Sequence, residues 1–113
     1  MEMINSPITL EKLKTLANNI FGSFVKAVVD IAQEKIAIDA ELHSDEEQYL
    51  LENGSKQSDL WGINLYPNET KENWIEFDSM INLRPSQGNF SRNINNQEIR
   101  DKITQTVNKL IKR

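Results

Sequence analysis

Phe24-Val25-Lys26-Ala27-Val28-Val29-Asp30-Ile31 is followed, after Ala32 and the connector Gln33-Glu34-Lys35, by Ile36-Ala37-Ile38-Asp39-Ala40-Glu41-Leu42. The first run is dense in branched apolar residues, which suit a pleated, partly buried surface. The second alternates: Ile36, Ile38, Ala40 and Leu42 point one way, and Ala37, Asp39 and Glu41 the other, with His43 next in register. Two such runs joined by a short polar connector predict a β-hairpin with strands at 24–31 and 36–42.

Two more strands are expected downstream, at 60–66 and 74–84, joined by the polar loop Pro67–Asn73. Ile75, Phe77, Ile81 and Leu83 share one face of the last strand; Glu76, Asp78, Asn82 and Arg84 share the other. Pro85 ends pairing, and Gly62 inside the third strand marks a bulge or a close backbone approach. Around the strands lie three helical patterns. Leu10, Leu13, Leu16, Ala17 and Ile20 predict a helix over 9–21, and Ile99, Ile103, Val107 and Leu110 predict one over 97–111. Between them, Ser44-Asp45-Glu46-Glu47 has the form of a capping box that opens a helix over 45–53, closed by Gly54.

The order α-β-β-α-β-β-α predicts an α+β fold: a four-stranded antiparallel sheet with helices mainly on one face. At 113 residues, one domain spanning 1–113 is expected. The alternation further predicts that the apolar face lies under the helices while the opposite face stands bare to solvent.

Composition removes several chemistries. Cysteine is absent and histidine occurs once, which excludes thiolate catalysis, cysteine-held metals and any site needing two histidines from one chain. The N-terminus has neither a basic flank nor an apolar core of a signal peptide, so a cytoplasmic protein without membrane association is expected. Residues 1–83 carry 15 acidic and 6 basic side chains, residues 84–113 carry 2 and 7. A basic final helix could touch nucleic acid, as in an antitoxin-like regulator, but a net charge of −4 argues against it. Mutual neutralisation of the two parts is the simpler reading.

The bare face supplies the candidate site. Asp39, Glu41, Glu76 and Asp78 would gather if the second and fourth strands were neighbours, and crowded carboxylates perturb one another's pKa or attract a hard cation. No spacing marks a metal site, and no cofactor is indicated. His43 at a strand end suits a general acid or base. The catalytic candidates are therefore His43, Glu41 and Asp78, in a small hydrolase-like reaction. Arg84 and Arg92 flank the loop Pro85–Ser91 and suit a small anionic ligand, with Ser86, Asn64 and Asn82 as further ligand-binding candidates. Trp74, Tyr66 and Met80 among polar groups suit a homo-oligomer contact. A self-associating binding or interaction module is the leading expectation, ahead of the enzyme.

The segments Glu41–Glu47, Leu51–Ser55, Asp59–Pro67 and Ile75–Ser86 together resemble a small uncharacterised bacterial family, a domain of unknown function common in cyanobacteria. The most distinctive stretches are Trp61–Pro67 and Phe77–Ser86. The resemblance covers the chain from first helix to last. It implies no reaction, cofactor or partner.

Overall fold

The computed structural model describes residues 1–113. Ten regular elements follow in order: β1 (Glu2–Ile4), β2 (Ile8–Thr9), α1 (Leu10–Ile20), β3 (Val25–Asp30), β4 (Lys35–Ile38), α2 (His43–Glu52), β5 (Leu60–Leu65), β6 (Ile75–Glu76), α3 (Gln97–Leu110) and β7 (Ile111–Lys112). Single 3-10 turns lie at Gln57–Asp59, Met80–Asn82 and Pro85–Gln87. No helix is long and apolar enough to cross a membrane.

The sheet has five strands rather than four, all antiparallel, in the order β1-β4-β3-β5-β6. The extra strand is β1, three residues too short to show an alternation of its own. A small parallel pair, β2 with β7, ties the start of α1 to the end of α3. The β3–β4 hairpin forms as predicted. Its turn is held by Asp30, whose buried carboxylate accepts from the amides of Ala32 and Gln33 (2.9 Å each) and from the Ser55 hydroxyl (2.6 Å).

One sheet face carries Ile4, Val25, Ala27, Val29, Ile36, Ile38, Trp61, Ile63 and Leu65, packed under Leu13 and Ala17 of α1 and Ile103, Val107 and Leu110 of α3. These are the periodic positions of both helices. The opposite face is not bare. Val28, Ala37 and Leu60 form a second cluster with Leu50 of α2, flanked by Tyr49 and Leu51. Helices therefore cover both faces, because the face expected to be hydrophilic holds three apolar residues that need a roof.

Two strands are shorter than expected, for separable reasons. β4 stops at Ile38, since Asp39 turns the chain through a left-handed conformation (φ 68°) that aspartate tolerates better than most residues. β6 stops at Glu76, where Asp78, Ser79 and Asn82 offer side-chain hydrogen bonds that compete with strand pairing. Asn82 does so directly. Its Oδ1 accepts from the Gly62 amide (2.8 Å) and its Nδ2 donates to the Gly62 carbonyl (2.9 Å), so one side chain pairs the β5 edge that a longer β6 would have paired.

Nor are β4 and β6 neighbours: β3 and β5 separate them. Asp39 and Glu41 consequently lie far from Glu76 and Asp78 in the sheet order. The single polar face joining Asp39, Glu41, Asn82 and Arg84 does not form.

Candidate functional site

β3 and β5 set the floor of the site. Their register aligns Lys26, Asn64 and Glu76 as one rung across β3, β5 and β6. Asn64 donates to Glu76 Oε1 (2.8 Å) and to the Asp78 carbonyl (3.4 Å). Above this rung α2 begins, one or two residues earlier than the capping-box reading requires. Leu42 stands at the cap position and supplies no side-chain hydrogen bond. The amides of His43 and Ser44 are thus left for solvent or a ligand at the positive end of the helix dipole, while the Asp45 amide donates to the Leu42 carbonyl (3.2 Å). Ser44, expected as the cap, has its hydroxyl free for another use.

A cleft of about 140 Å³ opens at this helix start, lined by Lys26, His43, Ser44, Ser79 and Arg92 and rimmed by Leu42, Met80 and Ile81. No carboxylate lines it. The volume suits about five water molecules at roughly 30 Å³ each, enough for a single oxyanion. Arg92 Nε donates to Asp78 Oδ1 (2.7 Å), a bond that leaves its two terminal amino groups uncommitted. Lys26 makes no ion pair; its Nζ lies 5.5 Å from the centre of the Phe21 ring.

His43 is 8% exposed, and its Nε2 lies 2.8 Å from the Ile63 carbonyl oxygen. A carbonyl only accepts, so Nε2 carries the proton and Nδ1 presents a lone pair. Burial lowers the His43 pKa below its ordinary 6.5; Lys26 and Arg92 push the same way, against the Ile63 carbonyl and Asp78. The ring is neutral at pH 7. One turn further into the helix, Glu46 is fully buried. Its Oε2 is 3.2 Å from the Ala40 amide and its Oε1 has no partner. Burial raises its pKa to about 10, against the Ala40 amide and Lys26, so it too is uncharged.

Of the expected candidates, only His43 and Arg92 line this cleft; Asp78 pairs with Arg92 behind it, and Asn64 donates to Glu76 and the Asp78 carbonyl. Glu41 lies with Asp39, Asp45 and Glu52 on an open groove of about 540 Å³, where no three acidic or histidine side chains converge to hold a metal ion. Asn82 serves the β5 edge. Ser86 is exposed in the turn Pro85–Gln87. Arg84 is committed as well: its five N–H groups face the carbonyls of Ile81, Gln57 and Leu60, Gln87 Oε1 and Glu47 Oε2, while the guanidinium stacks 4.7 Å from the Trp61 ring centre. It locks loops together and leaves no donor for an anion.

Lys26, Ser44 and Ser79 escaped the sequence reading. Lys26 was legible as the one basic residue inside an apolar strand. Ser44 fits a capping box, and no motif singles out Ser79. Ser79 is placed by Gly62, where a Cβ would fall 2.5 Å from the Ser79 Cβ. The basic residues of α3 are largely engaged within the chain. Lys102 pairs with Glu98 and Lys109 with Glu34, while Arg100 donates to the Ile94 carbonyl and stacks on Phe77.

No curated protein and no solved structure matches the chain. A family model described as Protein of unknown function (DUF5674) matches residues 2–110, nearly the whole length, and the chain belongs to that family.

Proposed function

We propose that the protein is a small oxyanion-binding module, with its site at the start of α2. The observation that carries this reading is the composition of the cleft. Two cations, two hydroxyls and an uncapped helix N-terminus converge on it, without a lining carboxylate, in a chain whose net charge is −4. Backbone amides at a helix start and arginine donors are the groups that hold phosphoryl and carboxylate oxygens. The test is a thermal-shift and NMR titration with phosphate, phosphorylated metabolites and small dicarboxylates at low salt. Binding by the native state raises the apparent stability. A rise in melting temperature that disappears in the Lys26→Ala, Arg92→Ala double variant is expected. A flat response to every anion at millimolar concentration would sink the reading.

Self-association is part of the same proposal. Leu42 and Met80 on the rim are 54% and 62% exposed, and Leu83 and Phe90 add further exposed apolar surface. Exposed apolar side chains beside a polar site suit an interface. Light scattering behind size exclusion should give a mass above 13.1 kDa, reduced to the monomer by Met80→Glu. A hydrolytic role is the second reading. It is favoured by the neutral ring of His43, whose Nδ1 lone pair can accept a proton beside an anion held by Arg92.

A further inference from the structure

The cleft is not built only of donors, and the exception narrows what it can hold. Lys26, Arg92, the hydroxyls of Ser44 and Ser79 and the amides of His43 and Ser44 can all donate to a ligand there. His43 differs. Its Nε2–H is spent on the Ile63 carbonyl, and its Nδ1 makes no hydrogen bond within the chain. The residue is 8% exposed, and Nδ1 keeps contact with solvent, so the lone pair is open to a ligand that enters the cleft. A ligand oxygen that displaces water from Nδ1 must bring a proton or leave the lone pair facing another lone pair.

Tetrahedral oxyanions divide on this point. Around neutral pH inorganic phosphate keeps at least one P–OH, whereas sulfate has none. A phosphomonoester loses its last proton near roughly pH 6, so at neutral pH it is mostly the bare dianion.

We propose that His43 makes this cleft selective for inorganic phosphate, its Nδ1 accepting a hydrogen bond from the ligand's P–OH while Lys26, Arg92 and the α2 amides donate to the unprotonated oxygens. The proposal rests on the oxyanion-binding reading above and adds the specificity-determining residue and the ligand class. The groups acting on His43 from the surrounding elements are Lys26 of β3, the Ile63 carbonyl of β5, and Asp78 and Arg92 after β6. None of them supplies a hydrogen bond to Nδ1, so the ligand is the donor the ring lacks.

The experiment compares three probes at pH 7 on the full chain by NMR titration: inorganic phosphate, sulfate and methyl phosphate. Phosphate should bind about tenfold more tightly than either competitor, the effect of leaving one acceptor unpaired against the bound ligand. His43→Gln keeps a donor for the Ile63 carbonyl and has no atom at the Nδ1 position. In that variant the phosphate-to-sulfate ratio should fall to within about twofold. Independently of any substitution, the Nδ1 15N resonance of the wild-type ring should move upfield on adding phosphate and stay put with sulfate. Equal binding of phosphate and sulfate by the wild type would overturn the role of His43 while leaving the oxyanion site standing. Selectivity that survives His43→Gln, or tighter binding of methyl phosphate, would overturn it also. Binding of none of the three would remove both readings.

Discussion

Gly62 and Arg84 show how single residues hold this site without touching it. Gly62 sits in the middle of β5 where the chain after β6 crosses closely. Gly62→Ala would force its Cβ within 2.5 Å of Ser79, with the Ile81 side chain 3.1 Å away on the same side. Overpacking of this kind costs about 1–3 kcal/mol. The expected outcome in urea denaturation is a lower midpoint with an unchanged slope, together with weaker anion binding because Ser79 must retreat from the cleft. Arg84 acts through geometry. Its planar fork reaches acceptors on four segments, and lysine has neither the fork nor the flat face that stacks on Trp61. Arg84→Lys should destabilise by about 2 kcal/mol, since breaking charge-assisted bonds to buried carbonyls leaves those carbonyls unpaired. Anion affinity measured on the remaining folded fraction should not change. The close approach at Gly62 was legible in the sequence, because a glycine weakens a strand interior and is kept where another segment needs the space of a side chain. Arg84 was ambiguous in the sequence, because an arginine beside a loop looks the same whether its donors face a ligand or three carbonyls and an acid such as Glu47. Which of these holds depends on residues 24 to 37 positions distant in the chain.

At the scale of elements, legibility tracked periodicity. The α1 and α3 stripes and the β3–β4 hairpin are strong repeating patterns. Both helices formed within a residue or two of their predicted bounds, and the hairpin formed with its second strand cut short at Ile38. The last strand alternates in sequence as well, yet only Ile75–Glu76 pairs. Alternation reports which side chains want burial; it does not report that an asparagine will take over the backbone pairing of its neighbour. The start of α2 was misread for a related reason. A serine followed by glutamate three residues later fits a capping box, but the helix begins at His43 and leaves the cap position to Leu42. That vacancy allows a direct trial. Leu42 is 54% exposed, so Leu42→Asp removes little packing and installs a carboxylate acceptor at the cap. The variant should be more stable than the wild type by about 1 kcal/mol in the absence of ligand. It should also lose anion binding, because the carboxylate occupies the amides and opposes a second negative charge. Gain of stability with retained binding would show that the helix start is no part of the site.

The whole molecule distributes its charge so that the acidic and basic parts meet across the fold. Lys109 reaches Glu34 over 75 positions of sequence, Arg84 reaches Glu47, and Arg92 reaches Asp78. The exposed pairs among these, Lys109–Glu34 and Arg92–Asp78, contribute little individually, whereas Arg84–Glu47 is largely buried. The titration behaviour of the fold is set instead by its two buried ionisable groups near α2, and their effects have opposite sign. His43 has its pKa lowered by burial, so the folded chain binds that proton less readily than the unfolded chain, and stability rises with pH as the ring deprotonates around and below 6.5. Glu46 has its pKa raised by burial from 4.5 to about 10, so the folded chain holds a proton that the unfolded chain releases. Its contribution is complete below 4.5 and is lost progressively as pH rises toward 10. The two slopes oppose each other on the acid side of neutrality. Above pH 7 His43 is already neutral in both states, so Glu46 alone governs among these two, and stability should decline steadily toward pH 9. Glu46→Gln keeps an acceptor for the Ala40 amide and has no proton to lose. It should melt at the same temperature as the wild type near pH 4.5, and above it by a margin that widens as pH rises. Melting curves of the two proteins between pH 5 and 9 that run parallel would mean that Glu46 ionises in the folded chain and that the buried end of α2 is open to water.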